Sequence, residues 1–215
     1  MDSTAPAPET LATTRRALHG VAELVLAGPQ HRRSETIRLT IRPGGFGTVA
    51  EPDLRVEGAE LVAAGRRIPL NGATCTTLAA AAGVEAGPPR GLYEDGSGMS
   101  PDEVVGVEAA AAEYLAQCYA RGEEALLRLA PDVRPVLWPE HFDLAITVDE
   151  VNYGVSPGDG YLSEPYAYAG PWRLRSGAFW NAPFGAARPL RDIPGTTALH
   201  DFFMEARDRA ATDPS

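Results

Sequence analysis

Strict alternation of apolar and polar side chains occurs in two widely separated places in this chain, and it rules out an all-helical fold. In residues 36–42 (TIRLTIR), Ile37, Leu39 and Ile41 fall on one side, with arginine and threonine on the other. In residues 142–149 (FDLAITVD), Phe142, Leu144, Ile146 and Val148 point one way, and Asp143, Ala145, Thr147 and Asp149 the other. Successive side chains of a strand project to opposite faces, so each run reads as a half-buried strand. Helical spacing fills the intervals around them. The expected fold is α+β: two antiparallel strand-rich blocks around a central helical pair, with N- and C-terminal helices.

The first block opens after a helix over 10–27, whose apolar face holds Leu11, Leu18, Val21 and Val25 and which Gly28 and Pro29 should stop. Residues 1–9 read as a flexible N-terminus. Strands follow at 46–50, 54–56, 61–64 and 67–70, forming a meander of hairpins. Thr76 or Thr77 caps a short alanine helix. Residues 84–100, rich in Gly and Pro, read as a linker or loop between a segment 10–83 and a segment 101–215, the whole forming one compact unit. Ser100, Pro101 and Glu103 have the form of a capping box and predict helices over 101–121 and 123–130, separated by Gly122. The second block starts near Val136, with strands over 161–169, 172–174 and 178–181, the last two joined at Ser176 and Gly177. A final helix over 197–210 buries Leu199, Phe202, Phe203 and Ala206.

Net charge is −10, from 19 basic and 29 acidic residues. Phosphate binding rests on clustered positive charge, so no nucleic acid is expected as a partner, and no anionic membrane surface. Every basic residue is arginine. Arginine cannot act as a Schiff-base amine, so lysine-dependent chemistry and the phosphate-binding loop that ends in lysine are excluded. Cys75 and Cys118 are unpatterned and read as buried thiols. The opening residues carry no secretory signal, and no run approaches the ~18 apolar residues of a membrane helix. The expected location is cytoplasmic.

Function points to residues 138–184. Ten of the sixteen aromatic residues, including all three tryptophans, fall between Trp138 and Phe184, among carboxylates, prolines and glycines. Tyr153, Tyr166, Tyr168, Trp172 and Trp180, with Glu164 and Asn181, are candidates to line a small-molecule pocket, aromatic faces giving contact area and polar groups fixing orientation. His141 and Asp143, two residues apart on one strand face, are the candidate base and its orienting carboxylate, for a hydrolase or isomerase. Asp149, Glu150, Asp159 and Glu164 are oxygen ligands of the kind a hard cation takes, but their spacing fits no EF-hand loop, and tight turns account for them without a metal. No serine sits in a G-x-S-x-G elbow, and no cofactor signature is complete. Small-molecule binding is therefore the first expectation, an enzyme using His141 the second, and an acidic surface docking a basic protein partner the third.

The blocks LWPEHFDLAI, NYGVSPGD, EPYAYAGPW and FWNAPFGAARP, with LHGVAELVLAGPQHRRS and IRPGGFGTV before them, resemble a family of uncharacterised proteins found mainly in actinobacteria. The resemblance spans most of the chain and implies a cytoplasmic bacterial setting. It carries over no reaction and no site residue.

Overall fold

The structure, a computed structural model, describes residues 6–214. The chain divides into one unit of Met1–Gln117 with Leu137–Phe142 and another of Cys118–Val136 with Asp143–Ser215. Both are α+β, and every ladder within them is antiparallel. The flexible terminus expected over 1–9 falls mostly outside the described residues, and helix has begun by Pro8.

In the first unit α1 (Pro8–Val21) runs through a π-helical stretch, Ala22–Ala27, into α2 (Gly28–Ser34). The helix therefore passes straight through the expected stop at Gly28 and Pro29. In an α-helix a proline has no N–H to give, and its ring collides with the carbonyl four residues back. Widening the turn answers this. The Gly28 N–H donates to Glu23, five residues back, so Leu24 loses its usual donor, and Pro29 cannot replace it. The freed Leu24 carbonyl accepts from the Gly87 N–H at 2.9 Å.

That bond anchors residues 84–100, a loop inside the first unit rather than a boundary between units. The loop lies along one helix face as a strap. A β-carbon at Gly28 would sit 1.7 Å from the Gly87 carbonyl oxygen, and one at Gly20 would sit 2.3 Å from Met99 Sδ. Between them Glu23, buried, accepts from the Ser97 N–H at 2.9 Å and the Ser97 hydroxyl at 2.6 Å. Burying a carboxylate is costly unless it is hydrogen-bonded, and the strap supplies the bonds.

The meander has the expected order: β1 (Leu39–Arg42), β2 (Gly45–Thr48), β3 (Leu54–Glu57), β4 (Glu60–Ala63) and β5 (Arg66–Pro69), each pairing with the next. β6 (Val136–Trp138) joins through Leu137 opposite Leu39. Leu39, Phe46, Leu54, Val56 and Leu61 are buried. Helix α3 (Cys75–Ala81) is capped by Thr74, not Thr76 or Thr77, because Thr74 has the extended backbone a cap needs and exchanges hydrogen bonds with Thr77. The capping box at Ser100 opens no helix. Glu103 pairs instead with Arg16, and the backbone around Val105 and Val107 is held by Ala73 and the Asn71 side chain. Tertiary partners outweigh a local signal here.

Helix α4 (Ala109–Leu129) starts after Glu108, whose carboxylate accepts from the Ala111 N–H at 2.8 Å. It is one helix where two were expected. Gly122 is a close-approach position: a β-carbon there would lie 2.8 Å from Val155 Cγ2. In the second unit β7 (Asp143–Val148), β8 (Val151–Ser156), β9 (Tyr166–Pro171) and β10 (Ala186–Pro189) follow in order, with α5 (Gly195–Thr212) after them. Phe142 is not the first strand residue. Its φ is +56°, and its ring stacks on His19 and meets Phe46 edge-on. The strands expected at 172–174 and 178–181 do not form. That segment is tied to the end of α5, through Ser176 N–H to the Pro214 carbonyl, Arg175 to the Ala210 carbonyl and the Trp180 indole N–H to Asp213. Cys75 and Cys118 are free and buried. Among the described residues no helix is long and apolar enough to cross a membrane.

Candidate functional site

The sheet of the second unit has two unlike faces, set by its register. Leu144, Val155 and Ala167 align across β7, β8 and β9, as do Ile146, Tyr153 and Ala169. This face is buried, with Gly122 of α4 against Val155 and Phe203 of α5 edge-on to Tyr153 at 6.1 Å. The other face carries Asp143, Ala145, Gly154, Ser156, Tyr166 and Tyr168, with Ala145, Gly154 and Tyr168 aligned.

Two phenol–carboxylate pairs lie side by side on that second face. Tyr168 donates to Asp143 Oδ2, and Tyr166 donates to Asp159 Oδ2 at 2.6 Å. Tyr168 reaches Asp143 by crossing β8 over Gly154, where a β-carbon would lie 2.6 Å from the Tyr168 hydroxyl and 2.6 Å from the Leu144 carbonyl oxygen. Asp159 is fixed from its other side, Oδ1 accepting from the Tyr161 N–H at 2.8 Å and the Leu162 N–H at 3.1 Å. The same turn sets the Tyr161 ring against Phe184 at 5.1 Å and Tyr166 at 6.1 Å. Phe184 sits in a tight turn closed by hydrogen bonds between Ala182 and Gly185. Asn181 holds that turn to β10 by donating to the Ala187 carbonyl and accepting from its N–H.

Burial, then the neighbouring carboxylates, push both phenols up: Tyr168 by desolvation and Asp143, Tyr166 by desolvation and Asp159. Both are neutral donors at pH 7, and neither is poised as a base. The arrangement offers negative charge beneath aromatic rings, part of which reach the surface, with Tyr161 46% exposed.

The structure brings together Asp143, Tyr166 and Tyr168 of the sequence candidates. It places the others apart. Tyr153 is fully buried on the opposite face, its hydroxyl without a hydrogen-bond partner among the described residues and its pKa pushed up to about 12 by burial. Glu164 pairs with Arg191. Trp172 is 66% exposed, Trp180 is buried against Phe179 with its indole on Asp213, and Asn181 is the turn staple. His141 and Asp143 belong to different units, and each has a partner in its own. The His141 side chain is 66% exposed, with Glu140 the carboxylate beside it at 3.8 Å, longer than a base-orienting hydrogen bond. Asp149 and Glu150 both have positive φ and form the two-residue turn between β7 and β8, with Asp149 on Arg207 at 3.1 Å. Among the described residues no group of three or more His, Cys, Asp or Glu is placed to hold a metal ion.

Tyr161, Phe184, Gly154 and the pairing role of Asp159 are not evident in the sequence reading. The signal for Gly154 was available, since a glycine inside an otherwise regular strand marks a close approach. In comparisons with family models, curated proteins and solved structures, none matches the chain.

Proposed function

We propose that the protein binds a small organic cation on the phenol–carboxylate face of its second unit. The observation that carries this reading is the pair of carboxylates, Asp143 and Asp159, each held by a tyrosine of the same strand and rimmed by Tyr161 and Phe184. Aromatic faces attract cations through the ring quadrupole, by roughly 0.5–2 kcal/mol per contact depending on desolvation. The carboxylates add a fixed charge, and the net charge of −10 concentrates cations near the surface. Neutral phenols and tethered carboxylates supply recognition without a nucleophile or a base, which favours binding over catalysis.

Titration calorimetry with benzamidine and tetramethylammonium, against glucose and benzoate, tests the reading. Both cations should bind more tightly than the neutral and anionic probes. Asp143→Asn, checked for folding by its melting temperature, should weaken them tenfold or more, about 1.4 kcal/mol. Preference for benzoate or glucose, or unchanged cation affinity in folded Asp143→Asn, would refute it.

A further inference from the structure

We infer that the first unit carries a second, unrelated site: a cleft at the C-terminal end of α2 that takes a small zwitterion of the amino-acid class. The cleft is about 540 Å³ and is formed between the end of α2, with His31, Arg32 and Glu35, and the strap, with Glu85 and Arg90 among its lining. That volume is in the ordinary range for small-molecule sites, roughly 300–1,000 Å³.

Its charges are of both signs and come from defined places. Arg32 is pinned by its own hydrogen bonds to the strap, Nη2 to the Glu85 carbonyl and Nη1 to the Gly87 carbonyl at 3.4 Å. A guanidinium has five N–H donors in a rigid plane, so two such bonds orient it and leave others for a carboxylate. Arg90 adds a second guanidinium on the strap side. Glu35 closes the helix in a left-handed conformation, φ +55°, and Glu85 faces it from the strap. The helix end itself presents carbonyl groups and the negative pole of the dipole, which favours an ammonium group.

A simple anion would meet Glu35, Glu85 and the helix C-terminus; a simple cation would meet Arg32 and Arg90. A ligand with a carboxylate and an ammonium a few bonds apart complements both sets. The volume leaves room for a side chain beyond the zwitterionic head. The strap brings the two sets of charges together, since its attachment at Gly87 to the freed Leu24 carbonyl sits one helical turn before the cleft.

The test is amide-detected NMR titration of the full chain with L-glutamine, L-leucine, L-phenylalanine and L-arginine, against acetate and ethylammonium. At least one amino acid should shift the Gly87 and His31 amides, with acetate and ethylammonium at least tenfold weaker. Arg90→Gln and Glu85→Gln should each weaken that amino acid tenfold or more while leaving the melting temperature in place, because both side chains are exposed. Asp143→Asn should leave it unchanged, which separates this site from the face of the second unit. The inference is overturned if none of the four amino acids shifts these amides at 10 millimolar (about 10⁻² M, a Kd weaker than roughly 3 kcal/mol of binding), if acetate or ethylammonium binds as well as they do, or if both variants bind unchanged.

Discussion

Gly154→Ala is the most direct probe of the candidate site, because one methyl group meets two obstacles of different kinds. At 2.6 Å the Leu144 carbonyl oxygen belongs to a paired strand and cannot withdraw, whereas the Tyr168 hydroxyl, also at 2.6 Å, can swing away only by leaving Asp143. Overpacking of this sort costs about 1–3 kcal/mol. The lost bond to a charged carboxylate costs about 1.5–3 kcal/mol, partly overlapping with the relief of the clash. A total of about 3 kcal/mol follows, and in a chain of this size that lowers the melting temperature by about 9 °C, at about 2–4 °C per kcal/mol. Thermal and urea unfolding would measure it. A cycle with Tyr168→Phe gives the sharper answer: the hydroxyl deletion should cost about 1–2 kcal/mol less in the Gly154→Ala background than in the wild type. Strict additivity, or a Gly154→Ala effect within about 0.5 kcal/mol, would refute the crossing of β8 by Tyr168 as the reason for this glycine.

Two further outcomes concern the first unit. Burial holds the His19 pKa down, against the opposing pull of the Pro139 carbonyl and Glu23. The unfolded chain, titrating near 6.5, therefore binds this proton more readily than the folded one. His19 contributes stability that is present above about pH 6.5 and is lost as pH falls toward its lowered folded value. Urea midpoints at pH 7.5 and 5.5 should differ more for the wild type than for His19→Gln, and equal pH dependence would contradict this. Ser97→Ala removes the hydroxyl bond to buried Glu23, worth about 1.5–3 kcal/mol, and should speed hydrogen exchange at Gly87 and Ser97 while β3 and β4 keep their protection. Unchanged exchange in the strap would show that it is not held by Glu23.

The strands of the first unit were legible almost to the residue, because alternation and turn glycines leave one register that buries Leu39, Leu54 and Leu61. The paired face of Tyr166 and Tyr168 was legible for the same reason. What failed had a common cause, in that the deciding partner was distant in sequence. Glu103 looked like a cap and met Arg16; Trp172 and Ser176 looked like strands, and the end of α5 took the backbone groups around them. Gly122 looked like a break and is a contact surface. His141 and Asp143 looked like a dyad because strand spacing put them on one face, but the left-handed Phe142 between them ends that periodicity. One clue lay open in the sequence: Glu23 is a lone carboxylate inside the apolar run from Val21 to Ala27, and a buried charge there requires a partner.

The wide turn at Ala22–Ala27 also has a meaning in phase. Each residue of an α-helix advances about 100° around the axis, and a π turn holds one residue more than its α counterpart. Deleting any one residue between 22 and 27 would return the helix to ordinary winding and rotate everything after it by about that angle, leaving the Gly20 contact with Met99 where it is. His31, Arg32 and Glu35 would then turn away from the strap with their identities intact. The alignment of that cleft is thus encoded by a count of residues, so a chain with the same side chains and one fewer position would keep its helix and lose the facing of the two walls.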